Sequence, residues 1–394
     1  MQLDLFSSVV SAYIQTGQEL SNNDLYAYVA NKHGLTAEDF ATTPVGTAAV
    51  PVSQLKRKIR WYQQTLKHAG VIERVHGKRG VWELVDTDSS AGLKEILPNQ
   101  AVLGFSTDLG IAIIAHCESF FSMINEPIHL IVTSPPYPLS RPRKYGNPSE
   151  KDYVDWICRT LEPVIKNLVP GGSICLNVGN DIFMSGTPAR SLYRERLLIA
   201  LNERFGLHKM DELIWVANKA PGPFQWASKK RVQLNVGYEP VYWLTNDPLK
   251  VRSDNRRVLQ PHTDKHISFV RSGGVRKRAV HSDGAYHKLP GSYCKETQGR
   301  IPRNIQSFTT TKDDMNAAYR AYCETHGYAL HGASMPIALP RFLINFLTEK
   351  DELVVDPMAG RLKVGMAAET LKRRWICTDK IADYVLGSRV CFGL

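Results

Sequence analysis

Hydrophobic and polar positions divide the chain into a helical N-terminal part and a longer part in which buried strands alternate with helices. In the first part, apolar residues recur at helical spacing from Leu3 to Ile14. Ser21 and Ser53 each precede a further amphipathic run, and a serine side chain suits the N-cap of a helix. Three helices are therefore predicted, the last of them ending at Gly70.

A β-hairpin is predicted next. Residues 71–75 and 80–84 alternate between apolar and polar positions on either side of a basic turn. Three helices followed by a hairpin with a basic tip are typical of a winged helix, which we expect at residues 1–86, with a polar linker at 87–100. The basic third helix and hairpin would contact DNA. The alternative is a dimerisation or packing domain whose basic face is solvated.

The second part is organised around a short apolar run at 128–132, which predicts a buried strand. Ser134, Pro135, Pro136 and Tyr137 follow it and form the loop at the C-terminal edge of that strand. In open α/β sheets, ligands bind at this edge. Further strands are predicted at 173–178, 213–215 and 239–244, and helices at 153–168 and 190–201.

These four loop residues suit the methylation of an exocyclic amine on a nucleobase. Such a nitrogen is a poor nucleophile because its lone pair is delocalised into the ring. The hydroxyl of Ser134 and the carbonyl of Pro135 can accept from its N–H groups, and the prolines restrict the backbone so that both acceptors are placed beforehand. Tyr137 can stack on a base that has rotated out of the duplex. The alternative is a Pro-Pro loop that only ends a strand.

Near its C-terminus the chain predicts a βαβ unit. A strand ends in Asp356, a glycine-containing turn and a helix follow, and a second strand ends in Asp379. Glycine in such a turn lets the backbone approach an adenosine-containing cofactor, and an acid about 20 residues further on can bind its ribose hydroxyls. The candidate cofactor-binding residues are Asp356, Pro357, Met358, Ala359, Gly360 and Asp379. The alternative is a purely structural βαβ unit.

The formal charge of +11 favours a polyanionic partner. Residues 250–303 contain 13 Lys and Arg against 4 Asp and Glu, so the segment 246–310 is predicted to be a nucleic-acid-binding insert; the alternative is a disordered basic loop. The candidate DNA-binding residues are Arg141, Arg143, Lys144, Lys229, Lys230, Arg231, Arg271, Arg276, Lys277 and Arg278.

Cysteine usage and hydropathy indicate the compartment. Seven scattered cysteines without a CxxC pair argue against a disulfide framework and a zinc site, so no metal is expected, and they fit a reducing cytoplasm. No run reaches the ~18 apolar residues of a membrane span. The N-terminus lacks the basic start and apolar core of a signal peptide. A cytoplasmic protein that acts on DNA is therefore expected.

The stretch Thr133-Ser-Pro-Pro-Tyr137 resembles the catalytic motif of the β-type DNA amino-methyltransferases, in the serine version most often found in cytosine-N4 enzymes. Adenine-N6 enzymes usually carry Asp or Asn at the position of Ser134. The turn 356–360 resembles the cofactor motif of the family, and Asp379 matches its acidic ribose position. The N-terminal unit resembles the winged-helix modules of restriction–modification proteins.

This resemblance implies a permuted Rossmann-like, S-adenosylmethionine-dependent methyltransferase fold of the α/β class. It assigns residues 101–245 to the catalytic half, 246–310 to a target-recognition insert and 311–394 to the cofactor half. It also implies direct methyl transfer to N4 of a cytosine flipped out of double-stranded DNA, in a bacterial or phage-encoded system that can include a restriction endonuclease. Adenine-N6 methylation, a non-catalytic DNA-binding regulator with a decayed methyltransferase fold, and an RNA substrate are the alternatives.

Several departures from the family pattern bear on the site. Arg361 and Leu362 stand where a small residue and Gly or Asn are usual, and a leucine there could crowd the methionine end of the cofactor. Asn177 stands where related enzymes have an aspartate, so the acceptor of the amine proton is open between Asn177 and Asp181, which could equally be turn or cap residues. His116 replaces part of an element near the cofactor adenine and is expected to be structural.

Overall fold

A small helical unit precedes the α/β part of the chain in the computed structural model. The structure describes residues 5–16, 19–45, 50–68, 72–84, 95–98, 100–140, 143, 146–216, 225–281, 284, 286–309 and 315–394. The elements of the first unit are α1 (Leu5–Thr16), β1 (Leu20–Ser21), α2 (Asn22–His33), β2 (Thr42–Val45), β3 (Val50–Ser53), α3 (Gln54–His68), β4 (Ile72–Arg74) and β5 (Val81–Leu84).

The three predicted helices are confirmed. Ser21 caps α2 by accepting a hydrogen bond from the backbone N–H of Asp24 (3.2 Å), and Ser53 accepts one from that of Lys56 (3.3 Å) at the start of α3. The predicted hairpin consists of β4 and β5, and β1 adds a third strand beside β5. The pair β2–β3 was not predicted because each strand contains a proline, which has no N–H to donate.

The α/β part supplies the remaining elements. The first are β6 (Ala101–Ser106), β7 (Gly110–Ala115), α4 (Cys117–Ser122), β8 (Ile128–Thr133), α5 (Tyr153–Ile165), β9 (Leu168–Asn177), α6 (Tyr193–Phe205), β10 (His208–Val216) and β11 (Tyr238–Thr245). Then come α7 (Asp264–Arg271), β12 (Ala279–His281), β13 (Tyr286–Lys288), β14 (Ile305–Ser307), α8 (Met315–His326), α9 (Ala338–Leu347), β15 (Leu353–Asp356), α10 (Lys363–Thr370), β16 (Arg374–Asp379) and α11 (Ala382–Gly387). None of the described helices is long and apolar enough to cross a membrane.

Nine strands form one sheet in the order β14-β10-β11-β9-β8-β15-β16-β7-β6. The run from β9 to β7 is parallel, and β11 and β6 join it antiparallel. After β8 the chain passes through α5 to β9, whereas after β15 it passes through α10 to β16, on the opposite side. The strand order therefore reverses between β8 and β15, and a ligand crevice is expected outside their C-terminal ends.

Apolar side chains bury both faces of the sheet. Ile131 belongs to a cluster with residues of α4, α5 and α6, whereas its neighbours Leu130 and Val132 belong to a cluster with residues of α9 and α10. Successive side chains of a strand point to opposite faces, so β8 is covered on both sides. Such burial is typical of parallel sheets between two layers of helices. The predicted α/β class is confirmed.

Some boundaries differ from the sequence prediction. The helix predicted to reach residue 168 ends at Ile165, and β9 already begins at Leu168. Gly171 and Gly172 lie inside this strand, and Gly171 has a φ of 80°. β6 and β7 were not predicted, because a short apolar run such as 110–115 cannot be assigned to a strand or a helix from its periodicity alone.

Residues Ser253–Asn304 form a separate compact unit. Its helix α7 begins at the N-cap Thr263, whose hydroxyl accepts from the backbone N–H of His266 (3.3 Å), and β12 and β13 form a hairpin. This unit is shorter than the predicted insert, 246–310, because β14 pairs with β10 in the large sheet. The basic segment therefore contains regular secondary structure.

Leu362 has a left-handed backbone (φ 55°, ψ 30°) directly before α10. This conformation costs a bulky residue roughly 1–2 kcal/mol. The Leu362 side chain is fully buried in the cluster that also contains Leu343 of α9. Burial of the side chain therefore offsets the backbone strain.

At position 362, we expect the glycine variant to be more stable than the alanine variant, which is the reverse of the usual order inside a helix. Leu362→Ala and Leu362→Gly both lose a buried side chain, at about 2–5 kcal/mol. Only glycine relieves the strain, so we expect Leu362→Gly to be the more stable of the two by about 1 kcal/mol in urea unfolding. At Leu343, inside a helix, alanine should be the more stable residue. A more stable alanine at 362 would contradict the left-handed backbone.

Candidate active site

An open cleft of about 1800 Å³ lies at the C-terminal ends of β8 and β15. The predicted catalytic residues Ser134, Pro135, Pro136 and Tyr137 all line it. So do the predicted cofactor-binding residues Asp356, Pro357, Met358, Ala359, Gly360 and Asp379. The parallel pairing of β8 with β15 thus brings together two groups that are far apart in the chain.

A cluster of polar groups surrounds the hydroxyl of Tyr137. Its oxygen lies 3.1 Å from Oγ of Ser134, 3.0 Å from Oδ1 of Asn177 and 3.0 Å from Oε2 of Glu239. Ser134 follows β8, Asn177 ends β9 and Glu239 is near the start of β11, so neighbouring strands hold all three partners. Burial and the nearby carboxylate of Glu239 raise the pKa of Tyr137 well above its usual range, so this phenol is neutral.

The ring of Tyr137 packs against Gly179. A Cβ atom at Gly179 would lie 2.7 Å from Cδ2 of the ring, which no side chain tolerates. The hydroxyl of Tyr193 donates to the carbonyl of Gly179 and holds this segment in place. The ring of Tyr137 is thus fixed at one wall of the cleft, an arrangement that suits stacking on a planar base.

The turn 356–360, the candidate cofactor turn, is held by two carboxylates, of which Asp356 is buried and Asp379 is partly buried. The backbone N–H of Gly360 donates to Oδ2 of Asp379 (2.7 Å), and that of Met358 donates to Oδ1 of Asp356 (3.2 Å). Gly360 has a φ of 51°, and a Cβ there would lie 2.9 Å from Nε2 of His331. Glycine therefore both allows this backbone conformation and leaves room for the imidazole.

Both carboxylates titrate near neutral pH. Burial raises the pKa of Asp356 to about 7 and that of Asp379 to about 6. Backbone N–H groups oppose these shifts, including those of Ile381 and Gly360 at Asp379. The charge of the cofactor turn therefore depends on pH.

Two cations flank the turn. Arg361 is buried, its guanidinium stacks on the ring of Tyr319 (4.1 Å to the centroid), and its Nη1 donates to Oδ1 of Asn316 (2.6 Å). Burial lowers the pKa of Lys363 to about 8. Both side chains line the cleft, which gives this end of it a positive character.

Leu362, between these two cations, packs in the core and is not among the residues that line the cleft. The expectation that it crowds the cofactor is therefore wrong. The reason is the left-handed backbone at this position, which directs the leucine into the core while its neighbours Arg361 and Lys363 face the cleft. Glycine and asparagine adopt this conformation most readily, which explains why they are usual there.

The predicted DNA-binding residues fall in several places. Arg143 is exposed and lines the cleft. Lys229 ends a short π-helical turn, and it is exposed, as are Lys230 and Arg231. Arg141 and Lys144 lie outside the described residues. Exposed residues of the compact unit 253–304 are Arg271, Arg276, Lys277 and Arg278.

Glu239 belongs to the site although it was predicted only as the start of a strand. β11 runs antiparallel to β9, so its first residues lie beside the last residues of β9, at the cleft. Sequence reasoning could have found Glu239 only if the direction of β11 had been known. His116 lines the cleft, and its Nε2 lies 3.0 Å from the carbonyl oxygen of Ile96.

Two family models match the chain. A DNA methylase model matches residues 128–388, and a Mrr N-terminal domain model matches residues 5–91. The first range contains the candidate catalytic residues 134–137, the compact basic unit 253–304 and the candidate cofactor turn 356–360. The second covers the helical unit that precedes them.

Individual relatives give the same result. The type II methyltransferase M.PvuII of Proteus hauseri is 32% identical over 272 residues, which cover 69% of this chain and 80% of the relative. M.BglII of Bacillus subtilis is 22% identical over 260 residues, covering 66% and 61% of the two chains. The solved structure of the PvuII DNA methyltransferase (cytosine-N4-specific) matches with a TM-score of 0.57 and 28% identity, covering 74% of this chain and 88% of that one.

The methylase model covers well over half of the chain, and both groups of cleft residues lie within its range. The extent of the match to M.PvuII agrees with it. This chain therefore belongs to the DNA methylase family of amino-methyltransferases, which use S-adenosylmethionine as methyl donor.

Proposed function

We propose that the chain transfers the methyl group of S-adenosylmethionine to the exocyclic N4 of a cytosine in duplex DNA. The observation that supports this most is the position of the Ser134 hydroxyl, which lies in the same cleft as the cofactor turn, on strands that are neighbours. The relative whose name specifies cytosine N4 supports the choice of base.

In the proposed reaction the target base rotates out of the duplex and enters the cleft. Oγ of Ser134 and the carbonyl oxygen of Pro135 accept hydrogen bonds from the amine, and the ring of Tyr137 stacks on the base. Accepting both N–H groups draws the lone pair toward the methyl donor. The amine then attacks in line, without a cysteine nucleophile, because the ring carbon is not activated.

The residues of the cofactor turn fit S-adenosylmethionine. Asp379 offers acceptors to ribose hydroxyls, and Gly360 allows close approach of the backbone. Arg361 and Lys363 supply the positive charge that suits the carboxylate of the methionine moiety. When bound, the cofactor supplies a methyl group activated by its positively charged sulfur.

In this proposal, exposed basic residues bind the DNA. The exposed cations at 229–231 and in the compact unit 253–304 contact phosphates or base edges, so that unit acts as the target-recognition insert. In α3, Lys56, Arg57 and Lys58 are exposed, which supports a winged-helix role for residues 1–86 in a second contact with DNA. DNA binding should therefore weaken steeply with salt.

The family and its type II relatives also suggest the biological setting. We propose that the enzyme acts in the cytoplasm of a bacterium, on chromosomal or phage DNA, as the modification partner of a restriction endonuclease. Adenine-N6 methylation is the second candidate, because both exocyclic amines present similar geometry to the acceptors at Ser134 and Pro135. The serine favours cytosine.

The variant Ser134→Ala tests the role of the hydroxyl. We expect methyl transfer to duplex DNA to fall about 100-fold or more, because one of two pre-placed acceptors is lost. Affinity for S-adenosylmethionine should stay unchanged, since Ser134 faces the base. The measurement is the initial rate with radiolabelled cofactor, beside binding by calorimetry.

The matched control is Ser122→Ala, which removes an exposed hydroxyl at the end of α4. It should keep the wild-type rate. Full activity of Ser134→Ala would refute the assignment of this loop.

Cofactor affinity should depend on pH. Because the pKa values of Asp356 and Asp379 are raised to about 7 and about 6, both carboxyls lose charge as the pH falls toward 5. The cationic cofactor prefers the ionised forms, so its affinity should be roughly tenfold weaker at about pH 5.5 than at about pH 7.5. Calorimetry across this range measures the effect.

In Asp379→Asn the pH dependence should shrink, because only Asp356 still titrates in this range. The free energy of unfolding should depend on pH in the opposite direction. A carboxyl whose pKa is raised in the folded state stabilises the cofactor-free protein at low pH, and this stabilisation is lost as the pH rises. A cofactor affinity that is constant with pH would show that neither carboxylate senses the ligand.

A further inference from the structure

Methyl transfer leaves a proton to be removed. Once N4 has bonded to the methyl group, the amine carries a positive charge and must lose one N–H proton to become the neutral product. Ser134 is the nearest acceptor in the proposed function, but a hydroxyl can accept that proton only if it passes its own to a stronger base. The amide of Asn177 is no such base.

The structure places a carboxylate two hydrogen bonds away from Ser134. Oγ of Ser134 lies 3.1 Å from the hydroxyl oxygen of Tyr137, and this oxygen lies 3.0 Å from Oε2 of Glu239. Both distances lie within the hydrogen-bond reach of roughly 2.6–3.2 Å that general-base catalysis requires. Ser134, Tyr137 and Glu239 all line the cleft.

Neighbouring strands keep this chain of groups in order. Val241 of β11 pairs with Asn177 of β9, which fixes Glu239 beside the end of β9. The side-chain amide of Asn177 donates to the carbonyl of Pro240 (3.2 Å), so its Oδ1 faces the Tyr137 hydroxyl as an alternative acceptor to Glu239; the relay uses the orientation in which Tyr137 donates to Glu239. The Tyr137 hydroxyl thus has a fixed set of partners, of which Glu239 alone is ionisable.

We propose that Glu239 receives the proton of the methylated amine through Tyr137 and Ser134, an inference that rests on the proposed methyl transfer. The N4–H bond breaks as Oγ of Ser134 takes the proton. Ser134 passes its own hydrogen to Tyr137, and Tyr137 passes its hydrogen to Oε2 of Glu239. One proton moves in total, no electron is transferred, and both hydroxyls end as they began.

Glu239 does not touch the base, so it is a positioning residue for Tyr137 that also takes the proton. Tyr137 stays neutral throughout, as its raised pKa requires. Among the described residues, ionisable groups near this end of the cleft include Tyr193, which is buried with a raised pKa, and Asp181 and Tyr238, which line the cleft. Glu239 is partly exposed, so it can return its proton to water after the product leaves.

Glu239→Gln tests the relay. In single-turnover reactions at saturating cofactor, we expect the rate of N4 methylation to fall about 100-fold. Glu212→Gln, the same change on the adjacent strand β10 outside the cleft, should keep the wild-type rate.

A rescue separates proton transfer from structure. Oδ1 of Asn177 is as close to the Tyr137 hydroxyl as Glu239 is, so a carboxylate at 177 can serve the same relay. Asn177→Asp combined with Glu239→Gln should regain at least tenfold in rate over Glu239→Gln alone. If Glu239→Gln fails to fold, Glu239→Asp and Glu239→Asn carry the test: the variant that keeps a carboxylate should be slower than wild type yet about tenfold faster than the variant with an amide.

A wild-type rate in Glu239→Gln, or no recovery in a folded, cofactor-binding double variant, would overturn the relay. Wild-type protein that makes no N4-methylcytosine would instead overturn the proposed function. The two failures are therefore distinguishable.

Discussion

The parallel pairing of β8 with β15 is the constraint on which the rest of the site depends. Leu130 and Ile131 pair with Val354 and Val355, so two strands from opposite ends of the α/β part end at the same edge. After β8 the chain continues to β9 on one side, and after β15 it continues to β16 on the other side. The crevice between the C-terminal ends of β8 and β15 therefore stays open. In the proposed function, one loop places acceptors for an amine there, and the other places a turn for the methyl donor.

Buried polar groups give this crevice its chemical character. Asp356 and Asp379 hold the backbone of the cofactor turn, and burial raises their pKa values into the neutral range. On the amine side, a neutral phenol connects a serine hydroxyl to a carboxylate. The same sheet edge therefore presents groups that suit a cation on one side and a departing proton on the other.

Much of this could be predicted from the sequence, because the informative residues are local. Ser134 to Tyr137 follow a strand directly and Asp356 to Gly360 are contiguous, so their position and their resemblance to family motifs mark both segments as candidates. The sequence did not predict Glu239 as a residue of the cleft, because its position there depends on the direction of β11, which no local pattern encodes. Leu362 was misjudged because a sequence does not reveal backbone φ, and the left-handed turn sends its side chain into the core.

The identity of the methylated nucleoside tests the central claim most directly. Mixed-sequence duplex DNA would be methylated with S-adenosylmethionine, digested to nucleosides and analysed by chromatography coupled to mass spectrometry, with standards that separate isomers of equal mass. The account predicts N4-methyldeoxycytidine as the product. N6-methyldeoxyadenosine would keep the fold and contradict the choice of base, and 5-methyldeoxycytidine would contradict direct attack by the amine.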